Sequence, residues 1–256
     1  MSEASGIYAL WYREFKVFLR ERSRIVSSII NPILWFVIIG GGIGSAVSFG
    51  GVGYQTFIYP GILIQSALFS SIFFGVYIVW DKKIDFMKEV LVAPISRTSM
   101  LVGKILGGST DTLIQIAILL VIGFAFAQTG FLSGLHFNFI SVILSFMILF
   151  ATTVGLVSLG LIIGSQMESP EGFQLIGTFV IFPMFFLSGA LFPIGNLPSW
   201  LAPIILINPV TYPVDGLRAA LLGTSQFPLI LDLGIISMFS IAMILIGTFA
   251  FKRMKV

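Results

Sequence analysis

The sequence predicts an all-α integral membrane protein with six membrane-crossing helices, and two observations carry that prediction. Of 256 residues, 57% are hydrophobic and 10% are charged, whereas charged residues make up roughly a quarter of an average soluble domain. Six long segments are also nearly free of charge, and a helix of about 20 apolar residues crosses a bilayer core while satisfying its own backbone. Within a single transmembrane domain, 1–256, the expected crossings are about 25–48, 56–80, 105–128, 137–163, 172–192 and 230–251.

Composition also excludes other classes of protein. A disordered chain needs low hydrophobicity and high net charge, and this chain has 57% hydrophobic residues and a net charge of +3. The absence of cysteine excludes a disulfide scaffold and a thiolate metal site. The first apolar segment is longer than the apolar region of a signal peptide, so we interpret it as a permanent crossing.

The basic residues indicate the orientation of the crossings. Thirteen of the fourteen Lys and Arg residues precede the first crossing, lie between the second and third, or follow the sixth. With six crossings these three groups share one side, which the positive-inside rule assigns to the cytoplasm. We therefore expect a protein of the cell (plasma or inner) membrane with both termini in the cytoplasm. The basic residues do not indicate nucleic-acid binding.

The amino-terminal stretch 7–24 predicts an amphipathic helix at the membrane interface. Aromatic and basic side chains fall on opposite faces at helical spacing. The aromatic set is Tyr8, Trp11, Phe15 and Phe18, and the basic set is Arg13, Lys16, Arg20 and Arg24. Such a helix buries its aromatic face in the membrane and turns its cations toward anionic lipid head groups. Two roles stay open, a plain anchor and an element that packs against a cytoplasmic partner.

The connection 81–103 predicts a short helix and a second helix that continues into the third crossing. Apolar side chains share one face of the short helix at Phe86, Val90 and Leu91. Pro94 ends this helix, because the residue before a proline disfavours helical conformation. Ser96 or Ser99 can cap the next helix. The short helix is either an inert bend or a knob that inserts into a partner protein.

The segment 193–228 predicts a re-entrant or interfacial hairpin on the outer side. Its apolar run 200–207 is too short to cross the membrane. Asp215 and Arg218 are three residues apart and could pair, either as a structural neutralisation or as part of an exit path. Pro183 within the fifth crossing predicts a kink. The candidate gate or exit region therefore comprises Pro183, Asn208, Asp215 and Arg218.

No catalytic, cofactor or metal site is predicted in this chain. The only Gly-Lys pair, Gly103-Lys104, lacks the upstream glycine of a phosphate-binding loop. The single histidine, His136, has no nearby Cys, Asp or Glu with which to form a zinc site or a triad. The central parts of the crossings carry no ionisable residue, which argues against a proton-driven carrier, while sodium held by backbone carbonyls stays open.

Three glycine pairs with the spacing G-x-x-x-G accompany the apolar segments. They are Gly40/Gly44, Gly103/Gly107 and Gly160/Gly164. Such pairs allow close helix packing within a chain or contact between two copies. With 27 glycines in the chain, chance matches are also expected.

Three stretches together resemble one known family. The turn 88–97 reads Lys-Glu-Val-Leu-Val-Ala-Pro-Ile-Ser-Arg, the stretches 168–174 and 183–193 border and end the fifth crossing, and 197–201 with 208–218 forms the expected hairpin. These stretches resemble the permeases, or transmembrane subunits, of ABC-2 type transporters, and the likeness covers nearly the whole chain. Within that family the chain is most similar to the drug-resistance and Nod-factor exporter branch.

The resemblance implies a half-transporter that pairs as a homodimer, with a separate ABC ATPase subunit on each copy holding ATP and Mg. It also implies that the turn between the second and third crossings is a coupling helix that docks on the ATPase. The docking residues carried over are Phe86, Glu89, Val90, Leu91, Ala93, Pro94, Ser96 and Arg97. The interfacial helix beside them contributes Trp11, Arg13, Phe15, Lys16, Phe18 and Arg20. The implied cargo is an amphipathic, drug-like or lipid-linked molecule that leaves the cytoplasm.

The residues themselves leave three functions open. One is a subunit of an ATP-driven exporter, for which the missing phosphate-binding loop means that another chain supplies the energy. The second is a stand-alone secondary carrier or channel, and the third is an assembly or anchoring subunit without a transport path. In none of them is this chain an enzyme by itself.

Overall fold

The computed structural model describes residues 3–44, 48–49, 52–196 and 198–254, and most of them are helical. The helices are α1 (Glu3–Arg20), α2 (Arg22–Trp35), α3 (Gly41–Gly44), α4 (Tyr54–Phe73), α5 (Val76–Lys83), α6 (Phe86–Val92), α7 (Arg97–Gln128), α8 (Phe139–Gln166), α9 (Pro170–Phe186), α10 (Ala202–Ile207), α11 (Thr211–Leu222) and α12 (Leu229–Arg253). A π-helical segment, Phe36–Gly40, joins α2 to α3, and a 3₁₀ turn, Ile194–Asn196, precedes α10. Two short strands, β1 (Ser48–Phe49) and β2 (Val52–Gly53), pair antiparallel.

Five stretches of the described residues are long and apolar enough to cross a membrane. They are Arg22–Gly40, Tyr54–Lys83, Arg97–Gln128, Phe139–Gln166 and Leu229–Arg253. The predicted all-α membrane fold is therefore confirmed. Helix α9 has 17 residues, which corresponds to about 26 Å, so the sixth crossing and the re-entrant placement of the segment before α12 remain predictions.

Three groups of residues gather at one end of the helix bundle, which we call the basic end: α1, residues 81–97 and the last turn of α12. Lys82 Nζ donates to Ser165 O at 2.6 Å, which brings the carboxyl end of α8 to the same place. At the opposite end, Thr56 Oγ1 donates to Ser133 O at 3.0 Å. The long helices therefore run back and forth between these two ends.

Several helix boundaries differ from the predicted ones for local reasons. The amino-terminal helix covers Glu3–Arg20 rather than 7–24, because Glu21 adopts a non-helical conformation (φ −85°, ψ 62°). The first crossing helix ends at Gly44 rather than at 48, where Ser48 already belongs to β1. Helix α7 begins before position 105, at Arg97, because the Ser96 side chain accepts from Ser99 N and caps it.

Close contacts at glycine hold α8 against the junction between α4 and α5. A Cβ atom added at Gly160 would lie 2.4 Å from Ile72 O, and one added at Gly164 would lie 2.2 Å from Gly75 O. A Cβ atom at Gly75 would in turn lie 2.0 Å from Gly160 O. The Gly160/Gly164 pattern therefore serves packing within the chain.

Candidate functional site

Helix α1 packs on the first half of α7 through a stripe that is not the predicted aromatic face. Its buried residues are Gly6, Leu10, Glu14 and Phe18, four residues apart, which places them on one side of the helix. Of the predicted aromatic face, Phe18 is buried, whereas Tyr8 is 61% exposed. The contact is close at Gly107, where an added Cβ atom would lie 2.6 Å from Glu14 Cβ.

Four charged side chains close a ring beneath this contact. Lys104 Nζ donates to Glu14 Oε1 at 2.9 Å and to Asp81 Oδ2 at 2.6 Å. Arg13 donates to the same two carboxylates, to Glu14 Oε1 and Asp81 Oδ1, at 2.7 Å each. Each cation therefore bridges both anions, the formal charge sums to zero, and α1, α5 and α7 are joined.

The ring is largely excluded from solvent. The side chains of Lys104, Glu14 and Asp81 are 1%, 2% and 4% exposed. Burial alone would lower the pKa of Arg13, but the carboxylates of Glu14 and Asp81 outweigh it and raise that pKa. Removal of one partner from a buried ion pair leaves an uncompensated charge, which costs roughly 3–5 kcal/mol. We call these four residues the charge ring.

The charge ring is connected to the short helix α6. The guanidinium carbon of Arg13 lies 3.9 Å from the centre of the Phe86 ring. Phe86 is half-buried, while Met87 and Val90 of the same helix are buried in a cluster with Leu10 and Phe251. Helix α6 thus shares an apolar cluster with α1 and the end of α12.

The proposed docking residues divide into two groups. Phe86 and Val90 point into the protein, and Ala93 is half-buried. Glu89, Pro94 and Ser96 are exposed. The side chain of Leu91 lies outside the described residues.

Two further apolar side chains stand out from this turn. Val92 is 87% exposed and Ile84 is 64% exposed. Asp85, between α5 and α6, has φ of +59° and forms an exposed ion pair with Lys88 at 2.7 Å. The helical spacing singled out other apolar residues of this turn, so Val92 and Ile84 were not predicted.

Arg97 and Ser96 are engaged within the chain. Arg97 Nη1 donates to Phe251 O and to Lys252 O at 2.9 Å each, which satisfies carbonyl groups at the end of α12. Ser96 N donates to Glu3 Oε2 at 3.1 Å. Hydrogen bonds from Ser99 and Ser96 lower the pKa of the exposed Glu3 carboxyl. These contacts tie α7 to both terminal helices.

The remaining residues of the predicted interfacial set differ in exposure, with Trp11 and Phe15 half-buried. Trp11 Nε1 donates to Thr110 Oγ1 at 3.0 Å, and its ring stacks on Phe15 with centres 5.8 Å apart. Lys16 and Arg20 are exposed. The interfacial role of this set therefore remains a prediction.

Three of the four candidate gate residues contact backbone groups near the opposite end, and the fourth, Pro183, lies inside α9. Asn208 Nδ2 donates to Met184 O and Leu187 O at 2.7 and 2.8 Å, which caps the end of α9 just after Pro183. Arg218 donates to Gly189 O at 2.8 Å.

Asp215 accepts hydrogen bonds from Gln226 N and Phe227 N at 2.9 Å each. Arg218 instead lies with its guanidinium carbon 3.9 Å from the centre of the Phe57 ring. The expected Asp215–Arg218 pair is thus replaced by separate backbone contacts, since both groups face loops with unsatisfied amides or carbonyls.

A cleft of about 490 Å³ opens along α2, α4 and α7. Its lining is Arg24, Ser27, Ser28, Asn31, Pro32, Trp35, Gln65, Ser66, Phe69, Ser70, Phe73, Val76, Tyr77, Gln115 and Phe182. Pockets of this size bind small molecules, with a mostly apolar wall and a few polar groups. No feature of the sequence predicted this cleft.

Comparison with known proteins then identifies the family. The family described as "ABC-2 type transporter" matches residues 5–222. This chain belongs to the ABC-2 type transporter family.

Relatives of this ABC-2 protein carry permease names. It is 27% identical over 249 residues to "Inner membrane transport permease YadH" of Escherichia coli K12, covering 94% of this chain and 92% of that protein. It is 29% identical over 218 residues to "Putative transport permease ycf38" of Cyanophora paradoxa, covering 83% and 72%. "Nodulation protein J" of Rhizobium leguminosarum bv. viciae is 23% identical over 249 residues, covering 96% and 93%. The chain is thus a multi-pass membrane protein of a transport family.

The charge ring of this ABC-2 protein was not predicted, although the sequence holds a signal for it. Glu14 lies four residues after Leu10 and four before Phe18, so it interrupts an apolar stripe. Lys104 lies between Leu101 and Ile105 in an apolar stretch. A charged residue on an apolar face indicates a buried partner, but only the fold identifies that partner.

Proposed function

We propose that this chain is the membrane-spanning subunit of an ATP-binding cassette exporter. It crosses the membrane six times with both termini in the cytoplasm and works as a homodimer. Two separate ATPase subunits hold ATP and Mg. The observation that carries this proposal is a turn with two exposed apolar side chains, Ile84 and Val92, that is connected through Phe86 to a charge ring joining three helices.

The turn has the surface that a docking element needs. Val92 and Ile84 offer apolar contact area, and Glu89 adds an exposed charge beside them. Exposed apolar side chains with a polar rim are typical of protein interaction sites. The turn lies at the basic end, which the positive-inside rule assigns to the cytoplasm, where ATP is available. A partner that binds ATP can therefore reach it.

The charge ring supplies a route for motion. A push on α6 acts on Phe86, then through the Arg13 guanidinium on Asp81 and Lys104. Those residues belong to α5 and α7, which are parts of long helices that reach the opposite end of the bundle. Because the ring is largely buried and each cation bridges both anions, we expect α1, α5 and α7 to move together. Closure of the two ATPase subunits would thus tilt the long helices and open an outward path.

Substitutions on the exposed turn test the proposal. Tagged protein is extracted from its native membrane and purified in mild detergent. An ATPase subunit that elutes with it is identified by mass spectrometry. Val92→Asp and Glu89→Lys are expected to lose that subunit while the permease still inserts, because they change only exposed side chains. Glu171→Lys is the matched control, since Glu171 is also exposed at the basic end but lies on α9.

Pro94→Ala, with the subunit still bound, is expected to uncouple ATP hydrolysis from export. Wild-type transport by the Val92, Glu89 and Pro94 variants would contradict the docking role. Full transport by the purified chain in liposomes, driven by an ion gradient without nucleotide, would favour a secondary carrier and overturn the proposal.

A further inference from the structure

Two glutamine side chains lining the cleft are buried and carry polar atoms that have no hydrogen-bond partner among the described residues. Gln65 on α4 is 5% exposed and Gln115 on α7 is 0% exposed. Gln65 Oε1 and both amide atoms of Gln115 find no partner among the described residues. Each amide can donate two hydrogen bonds and accept two. The cleft wall therefore holds unused hydrogen-bonding capacity deep in the helix bundle.

Unpartnered amides in such a place are costly. A buried polar group without a partner is destabilising, and the membrane core supplies no water to relieve it. Apolar residues would fill the same positions without this cost. The cost is recovered when a bound molecule presents hydroxyl or amide groups to Gln65 and Gln115.

Helix α2 extends the polar wall toward the basic end. Ser27 and Ser28 line the cleft four and three residues before Asn31, so each lies on the same side of the helix as Asn31. From Arg24 to Trp35 this side runs for about 16 Å. Aromatic rings of Phe69, Phe73 and Phe182 complete the lining opposite it, so the cleft offers both polar and apolar contacts.

The charge of the cleft lining is already compensated. Arg24, its only charged lining residue among those described, donates to Tyr77 Oη at 2.6 Å and lies 3.6 Å from Glu21 Oε2 and 3.9 Å from Asp111 Oδ2. A ligand anion would have to compete with these carboxylates for Arg24. The polar groups left for a ligand are therefore neutral.

We propose that the cleft binds an uncharged amphiphile whose hydroxyl or amide groups hydrogen-bond to Gln65 and Gln115 and whose apolar part lies against the aromatic wall. For the claim that this molecule is cargo, the inference rests on the proposed function. Binding itself needs no ATPase, so the two can be tested separately. A site that hydrogen-bonds its ligand strongly disfavours analogues lacking those groups, because its own polar groups are then left unpaired.

The experiment measures binding to the purified protein in phosphatidylcholine nanodiscs. Three probes share one tail-brominated alkyl chain and carry a glucosyl, a phosphate or a trimethylammonium head. Bromine quenches nearby tryptophan, and Trp35 lines the cleft, so the signal is the saturable quenching that Trp35→Phe removes. The glucosyl probe is expected to saturate this signal at a lower concentration than either charged probe.

The variants Gln65→Leu and Gln115→Leu each remove one amide. Each is expected to weaken binding of the glucosyl probe about tenfold, since one hydrogen bond is worth about 1–1.5 kcal/mol. Thermal stability is expected to stay equal or rise, because a buried unpaired group is lost. Gln174→Leu is the matched control, as Gln174 is exposed on α9 outside the cleft lining.

Unchanged binding in both glutamine variants, or tighter binding of a charged probe, would overturn this inference and leave the proposed function untouched. If the probe binds normally and the turn variants keep both ATPase docking and export, the proposed function alone would be overturned.

Discussion

Lys104 Nζ lies 2.9 Å from Glu14 Oε1, with side chains only 1% and 2% exposed. This contact joins α7 to an amino-terminal helix that the sequence places on the membrane surface. Asp81 and Arg13 complete the ring and extend it to α5. Helix α1 is therefore an integral part of the bundle at the basic end, bound by charge as well as by packing.

Neutralising Lys104 is expected to destabilise the protein. Lys104→Met leaves Glu14 and Asp81 sharing one cation, Arg13, so the free energy of unfolding should fall by roughly 3–5 kcal/mol. Denaturant titration in detergent measures this change. Lys88→Met, which removes an exposed ion pair with Asp85, should cost less than about 1 kcal/mol. Equal stability of the two variants would show that the ring contributes nothing.

A methyl group at Gly107 is expected to push α1 away from α7. The added Cβ atom would lie 2.6 Å from Glu14 Cβ, so Gly107→Ala should lower stability by about 1–3 kcal/mol. Limited proteolysis of α1 and Trp11 fluorescence report its release.

The matched control for that substitution is Gly234→Ala on α12, where an added Cβ atom meets nothing within 4 Å. There the helix should be unchanged or gain about 0.5–1 kcal/mol, because alanine is the better helix former. Comparable losses at both positions would contradict the close contact.

Removing the Arg97 side chain is expected to loosen the end of α12. Arg97→Gln loses hydrogen bonds to Phe251 O and Lys252 O, so amide hydrogen exchange in residues 251–254 should speed up by about tenfold or more. Docking of the ATPase subunit should persist if Arg97 acts only through its contacts within the chain. Loss of docking with unchanged exchange would instead support a direct role for Arg97 at the partner surface.

Acid is expected to release the first turn of α1 from the start of α7. Hydrogen bonds from Ser99 and Ser96 lower the pKa of Glu3 below its ordinary 4.5. The stabilisation is therefore present above the unfolded pKa and is lost as the pH falls through the lower folded value. Hydrogen exchange at Ser96 N should be slower in the wild type than in Glu3→Gln at about pH 6. That difference should vanish in acid, and a difference independent of pH would contradict the contact.

The sequence predicted the crossings because each is a long apolar run, and the requirement for a helix in lipid is local to the segment. Ser96 as a cap and Pro94 as a stop were readable for the same reason, since capping and proline sterics act within a few residues. The exposed residues of the turn were harder to predict, because which face of α6 is buried depends on α1 and α12. Val92 was missed on that ground.

Hydrophobic run length and charge placement are properties of the chain, so the sequence alone predicts a helical membrane protein with a strongly basic end. Which charges meet depends on the tertiary fold. Glu14, Asp81 and Lys104 are separated by up to 90 residues, and no local rule pairs them. Likewise, the unpaired state of Gln65 and Gln115 depends on every neighbouring helix, since a buried amide is satisfied or not only by what packs against it.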